Sequence, residues 1–223
     1  MASAMRTDVA DADAQVLDGL DAQQVDMMAE AVILVDEHDR PLGRASKVSA
    51  HRGAGAYHRA FSVMLFDEQD RLLLQRRADD KITFPGIWAN TCCSHPLDVP
   101  EEQEERDGLG VRRAAVRKLK QELGITSVSV DDLTHVGRFR YQARQDETWI
   151  EREVDHLLVG RVKDLDVKPN PNEVAEVRWV SQDGMEAMLI EEDPEHPIAP
   201  WFRCIAARLM DDAWWKARTK EEH

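Results

Sequence analysis

The 223-residue sequence has no uninterrupted apolar run of 18 residues or more, although 43% of it is apolar and 32% is charged. A membrane-spanning chain is excluded on that ground. Clusters of basic residues are missing as well. Acidic residues outnumber basic ones 43 to 29, for a formal charge of −14, so neither nucleic acid nor an anionic membrane is an expected partner. Lysine is scarce, with 8 against 21 arginines. Together with the acidic excess this reads as adaptation to high salt; the alternative is the composition of a GC-rich genome. Cysteine is limited to Cys92, Cys93 and Cys204, an odd number that makes no disulfide framework, and no apolar signal segment follows Met1. The expectation is a reduced, cytoplasmic protein.

What the chain does contain fits one domain with a single core, residues 29–223, after an extension at 1–28. The extension is rich in Ala and Asp and reads as too polar and small to pack, at best a short surface helix or lid. β-like runs follow: AVILVD at 31–36, AFSVMLF at 60–66 and RLLL at 71–74, the last two joined as a hairpin by the turn-prone DEQD. Leu109–Leu123 carries Val111, Ala114, Ala115, Leu119 and Leu123 at helical spacing and stops at Gly124. Strands are expected at Leu133–Gln142, Trp149–Val162 and Val174–Val180, and helices at Met185–Ile190 and Ile205–Lys216, the latter with Trp214 and Trp215. The pattern predicts an α/β (α+β) fold, a mixed sheet with helices packed against it.

Chemistry concentrates in FPGIWANTCCSHPLD, residues 84–98, which reads as loop. A buried pair is the bland account of Cys92 and Cys93, but His95 two residues on places an imidazole beside a thiol, where charge and burial can tune an acid or base. His51, His58, Glu151 and Glu153 stand out too. The two glutamates are i, i+2 on a strand and share a face. They are either a solvated face or a pair that needs a cation or a shared proton. Three imidazoles and two carboxylates together suit a divalent ion such as Mn, Zn, Fe or Mg.

RKLKQELGI at 117–125 matches the end of the Nudix box through Arg117, Leu119, Glu122, Gly124 and Ile125, but Lys118 and Gln121 stand at two carboxylate positions, and Gln103 and Leu109 fall where the box Gly and first Glu belong. One metal-binding carboxylate remains. That disfavours diphosphate hydrolysis but not the fold that presents such a helix.

AHRGAGAYHRAFSVMLFD, LLLQRRADDKITFPGIWANTCCSHP, RKLKQELGI, FRYQA, EREVDHLL and PWF resemble the type I isopentenyl-diphosphate isomerases over about residues 30–215. The resemblance implies a Nudix-like mixed sheet between helices and conversion of isopentenyl to dimethylallyl diphosphate in isoprenoid biosynthesis. It implies Cys93 and Glu153 as catalytic residues, assisted by Tyr141 and Trp201. It implies metal ligation by His51, His58, His95, Glu151 and Glu153, with Mn²⁺, Zn²⁺ or Mg²⁺ in that site. Lys47, Arg77, Lys81 and Lys118 would contact the diphosphate, whose Mg²⁺ Glu122 would help hold. Relatives with Arg at the Lys118 position have a fork where this chain has a point charge, and Cys92 reads as packing. A small-molecule substrate and a monomer or weak dimer complete the expectation. The competing readings are a Nudix pyrophosphohydrolase acting on a nucleoside diphosphate derivative and a zinc-stabilised binding module.

Overall fold

The structure, a computed structural model, describes residues 15–209. Short strands β1 (Ala31–Val35) and β2 (Pro41–Ser46) form an antiparallel ribbon, and a single helical turn, α2 (Lys47–Ala50), leads towards β3 (His58–Phe66). β4 (Leu72–Arg77) follows the expected turn, in which Asp67 Oδ1 accepts from the backbone N–H groups of Gln69 and Arg71. Then come β5 (Trp88–Ala89), β6 (Cys92–Ser94), the long helix α3 (Leu109–Leu123), and strands β7 (Leu133–Arg144), β8 (Ile150–Arg161) and β9 (Val174–Val180). Helices α4 (Gln182–Glu191) and α5 (Pro200–Leu209) end the described chain. Positions 210–216 of the expected terminal helix, with Trp214 and Trp215, lie outside the described residues, as do residues 1–14.

β3 organises the sheet. β8 runs parallel along its whole length, and β7 pairs antiparallel with β8. The other flank of β3 is shared in succession by β1 at His58, β6 at Phe61–Val63 and β4 at Phe66, and β4 carries β5 and β9. The flank therefore forks, and β6 stands in the fork.

Two apolar layers clamp the sheet. On one face Phe61, Val63, Leu65 and Leu158 pack on Val111, Ala114, Ala115, Leu119 and Leu123 of α3. On the other Met64, Phe66, Leu157 and Val159 pack on α4 and α5 through Met185, Trp201, Phe202 and Ile205. α3 ends at Gly124, whose φ of +65° is left-handed, and a Cβ there would lie 2.8 Å from the Lys168 carbonyl. Glycine is the residue that fits.

Two expectations need correction. Residues 84–98 are not all loop, because Trp88–Ala89 and Cys92–Ser94 are sheet segments. Nor is the N-terminal extension too polar to pack: α1 (Ala22–Met28) buries Gln24 and Met28, and Met28 joins Val48, Ile82 and Trp149 in a small apolar cluster. Asp21 caps this helix by accepting from the Gln24 N–H at 3.0 Å.

Candidate active site

Three imidazoles from separate parts of the chain meet one carboxylate oxygen. His51 follows α2, His58 opens β3, His95 follows β6, and Glu153 on β8 is in register with His58. The Nε2 atoms of His95, His58 and His51 stand 2.8, 3.2 and 3.9 Å from Glu153 Oε1. His51 Nδ1 lies 2.7 Å from the Lys47 carbonyl and His58 Nδ1 lies 2.8 Å from that of Ala56. A carbonyl only accepts, so Nδ1 carries the hydrogen in both and Nε2 is the atom that each turns to the carboxylate.

The four ligand atoms lie within 4.8 Å of one another. His58 Nε2 and His95 Nε2 are 3.1 Å apart, a separation at which two lone pairs repel unless a proton or a cation lies between them. Nitrogen and oxygen donors, two of the imidazoles fixed from behind by carbonyls, fit a divalent ion. Burial and the neighbouring imidazoles hold His51 well below the usual histidine range, and burial brings His95 down to about 4 against the pull of Glu153. Both are neutral at pH 7, as metal ligands must be.

Glu151 stands outside that group of four. It and Glu153 do share a face, but both are buried, so the solvated-face reading fails. The Tyr141 hydroxyl sits 2.8 Å from Glu151 Oε2 and 2.5 Å from Glu153 Oε2. Burial and the Glu153 charge raise Glu151 well above the usual carboxylate range, whereas His95 and His58, against burial, hold Glu153 well below it. A protonated Glu151 can thus donate to Tyr141 while Tyr141 donates to Glu153.

Cys93 lines the same cleft from β6, in register with Ser62. Burial pushes its thiol up, opposed by Arg77, whose Nη1 is 3.9 Å from the sulfur. It is a thiol, not a thiolate, at neutral pH. Strand alternation turns Cys92 to the α3 face, where it is buried with its sulfur 3.5 Å from Glu122 Oε2. Trp201 of α5 donates to Asn90 Oδ1 at 3.2 Å, and its ring lies 6.1 Å from that of Tyr141 and 5.9 Å from the Arg77 guanidinium carbon.

The expected cations gather at the same cleft: Lys47, Arg77, Lys81 and Lys118 all line it, with Glu122. Helical i, i+4 spacing sets Lys118 3.0 Å from Glu122, Lys81 is 2.9 Å from Glu173, and Lys47 pairs with Glu30. Arg77 donates to the carbonyls of Phe84 and Thr83 at 2.9 and 2.7 Å. Burial lowers Lys47 to about 8 and lowers Lys81, whereas Glu122 and Glu173 hold Lys118 above its usual range despite burial. Arg117, the box arginine, makes a two-pronged pair with Glu102 at 2.6 and 2.9 Å and donates to the His95 carbonyl at 3.2 Å. It braces the loop that carries His95.

Several contributors carried no recognisable chemical motif. Glu30, Glu173, Gln75 and Asn90 partner Lys47, Lys81, Glu122 and Trp201 respectively. Gln24, Met27 and Met28 of α1 line the cleft, with the Gln24 amide donating to Asn172 O and Oδ1 at 2.8 and 2.7 Å. An apolar helix edge anchored by one buried glutamine was the available signal.

Comparison with known proteins places these features. A NUDIX domain family model matches residues 56–202. The chain is 44% identical over 205 residues to Isopentenyl-diphosphate Delta-isomerase 1 of Bos taurus, covering 89% of each. It is 44% identical over 208 residues to the isopentenyl-diphosphate delta-isomerase of Phaffia rhodozyma (89% of this chain, 81% of that one). The same identity over 208 residues relates it to the chloroplastic Isopentenyl-diphosphate Delta-isomerase II of Arabidopsis thaliana (88% and 72%). A Deinococcus radiodurans crystal structure is similar in fold, with a TM-score of 0.57 at 19% identity over 80% of this chain and 98% of that one.

Proposed function

The chain belongs to the isopentenyl-diphosphate Delta-isomerases built on the NUDIX domain, and from that premise we propose how its cleft moves the double bond. Its activity is the conversion of isopentenyl to dimethylallyl diphosphate in isoprenoid biosynthesis. The observation that carries the mechanism is a protonated thiol, Cys93, sharing one cleft with the Glu153–Tyr141 pair and Trp201.

An unactivated alkene is a weak base. Cys93 gives its proton to the terminal carbon, and the electron deficiency falls on the tertiary carbon. Glu153, with Tyr141 as its hydrogen-bond partner, takes a proton from the carbon next to it. Two groups are needed because donor and acceptor act at different carbons. Trp201 offers its ring face to the cation, worth about 2 kcal/mol when desolvated. α1 lines the cleft with Gln24, Met27 and Met28, and its apolar edge would limit water at the cation.

His51, His58, His95 and Glu153 would hold one divalent ion, Mn²⁺, Zn²⁺ or Mg²⁺, with Glu151 as a further donor; when bound it would supply positive charge that fixes and neutralises the carboxylates. Lys47, Arg77, Lys81 and Lys118 would bind the diphosphate, and Glu122 the Mg²⁺ that accompanies it. With Lys118 and Gln121 at box carboxylate positions, a hydrolytic metal cluster is not assembled, so the diphosphate stays intact. No described helix is long and apolar enough to cross a membrane. The three cysteines are free thiols, which supports a reducing compartment such as the cytoplasm, with the enzyme working as a monomer or weak dimer on a small molecule, without nucleic acid or membrane.

The test is purified protein with isopentenyl diphosphate and Mg²⁺. Dimethylallyl product should form, be lost in Cys93→Ala and survive in Cys92→Ala. Phosphate release instead of isomerisation would support a pyrophosphohydrolase and overturn the reading.

A further inference from the structure

On the face of the sheet that carries α3, away from the catalytic cleft, lies a cavity of about 380 Å³. β7 and β8 deliver His135 and His156 to it, and the turn between β1 and β2 delivers Asp39. His156 Nδ1 is 3.0 Å from His135 Nε2, and His156 Nε2 is 2.9 Å from Asp39 Oδ2. Asp39 also accepts from Arg59 Nε at 2.8 Å and from Arg138 Nη1 at 3.3 Å.

Against burial, His156 and Arg59 hold Asp39 below the usual carboxylate range. It is therefore an acceptor only, and it takes the Nε2 hydrogen of His156. That turns His156 Nδ1 towards His135 Nε2. Burial, His156 and Arg138 keep His135 below the usual histidine range.

We propose that His135 and His156 form a second transition-metal site, taking Zn²⁺ or an ion of like character, with Asp39 fixing His156 from behind. A carboxylate behind an imidazole sets its tautomer and strengthens it as a ligand, and converging imidazole nitrogens select borderline ions over Mg²⁺. Three arginines and four carboxylates share the cavity lining with the histidines, which gives an anion no advantage. Asp107 lines the same cavity, and it or water would fill the positions the histidines leave open. An ion there would tie β7, β8 and the β1–β2 turn together.

The site is separable from the catalytic one. Equilibrium dialysis of the full-length chain against Zn²⁺ should give two ions per chain for the wild type. His135→Ala should lose one, and His51→Ala the other. His135→Ala should keep full isomerase activity at saturating metal, and its zinc-induced rise in melting temperature should shrink. His135→Gln, which keeps a hydrogen-bonding group at the position, should lose the same ion and serves if the alanine variant does not fold. One zinc per wild-type chain, or two retained by a folded His135 variant, would show a plain histidine–histidine hydrogen bond and overturn the proposal; loss of isomerase activity in the wild type would instead strike at the catalytic reading.

Discussion

Arg77 points a guanidinium nitrogen at the Cys93 sulfur from 3.9 Å, and opposes the burial that keeps that thiol protonated. Glu122 pushes the same way as burial. In the proposed mechanism the acid that protonates the alkene thus gives up its proton next to a fixed positive charge.

Arg77→Gln should leave the thiolate without that charge. We expect isomerisation to fall by roughly 10²-fold or more, the usual scale for an impaired general acid. Alkylation of Cys93 by iodoacetamide should slow in parallel, because the thiolate becomes rarer at any given pH. Unchanged alkylation with lost turnover would assign Arg77 to the diphosphate alone.

Trp201 combines ring face and hydrogen bond. Trp201→Leu should lower kcat by about 30-fold, the equivalent of about 2 kcal/mol. Trp201→Phe keeps a π face and loses only the bond to Asn90, so its loss should be several-fold smaller. Equal losses in the two variants would remove the cation–ring contact from the mechanism.

His95 lies at about 4 in the metal-free fold, against about 6.5 in an unfolded chain. The unfolded state therefore binds the proton first as pH falls. Stability present above pH 6.5 should be lost progressively between 6.5 and 4, by roughly 3 kcal/mol from this group. Urea unfolding of metal-stripped protein at pH 7 and pH 4.5 measures it, and His95→Gln should show a correspondingly smaller drop.

The charge of −14 leaves a surface that repels itself at low ionic strength. Screening lengths contract from ~30 Å at 0.01 M to ~3 Å at 1 M salt, so the melting temperature should climb steadily to molar KCl. The Michaelis constant should rise only modestly, because Lys47 and Lys118 sit in a buried cleft. A flat or falling melting curve would trace the composition to genome bias.

Much of this molecule was legible in the sequence. The α3 boundaries could be read because apolar spacing and Gly124 mark both its face and its end, and Val174–Val180 could be read between PNPN and Ser181. β2, PLGRAS, was not, because none of its residues is buried and it carries no apolar alternation. β5 and β6 are two and three residues long, too short to show any period, and they exist because the fork in β3 supplies partners. At the site, the chemically distinctive residues could be singled out individually. The residues that neutralise them could not: Glu30 and Glu173 are ordinary surface types until tertiary structure buries lysines beside them.

The parallel pairing of β3 with β8 also sets the order in which the molecule can be made. His51, His58 and His95 leave the ribosome well before Glu153, and the full flank of β3 stays bare until residue 161 has emerged. Such distant pairing closes late because loop entropy must be met first. Until then the nascent chain presents an open strand edge, the kind that recruits a second copy. A product truncated ahead of β8 would lack both the carboxylate of the His/Glu group and the strand that covers β3, so the proposed ion site is complete only once the chain has passed Glu153.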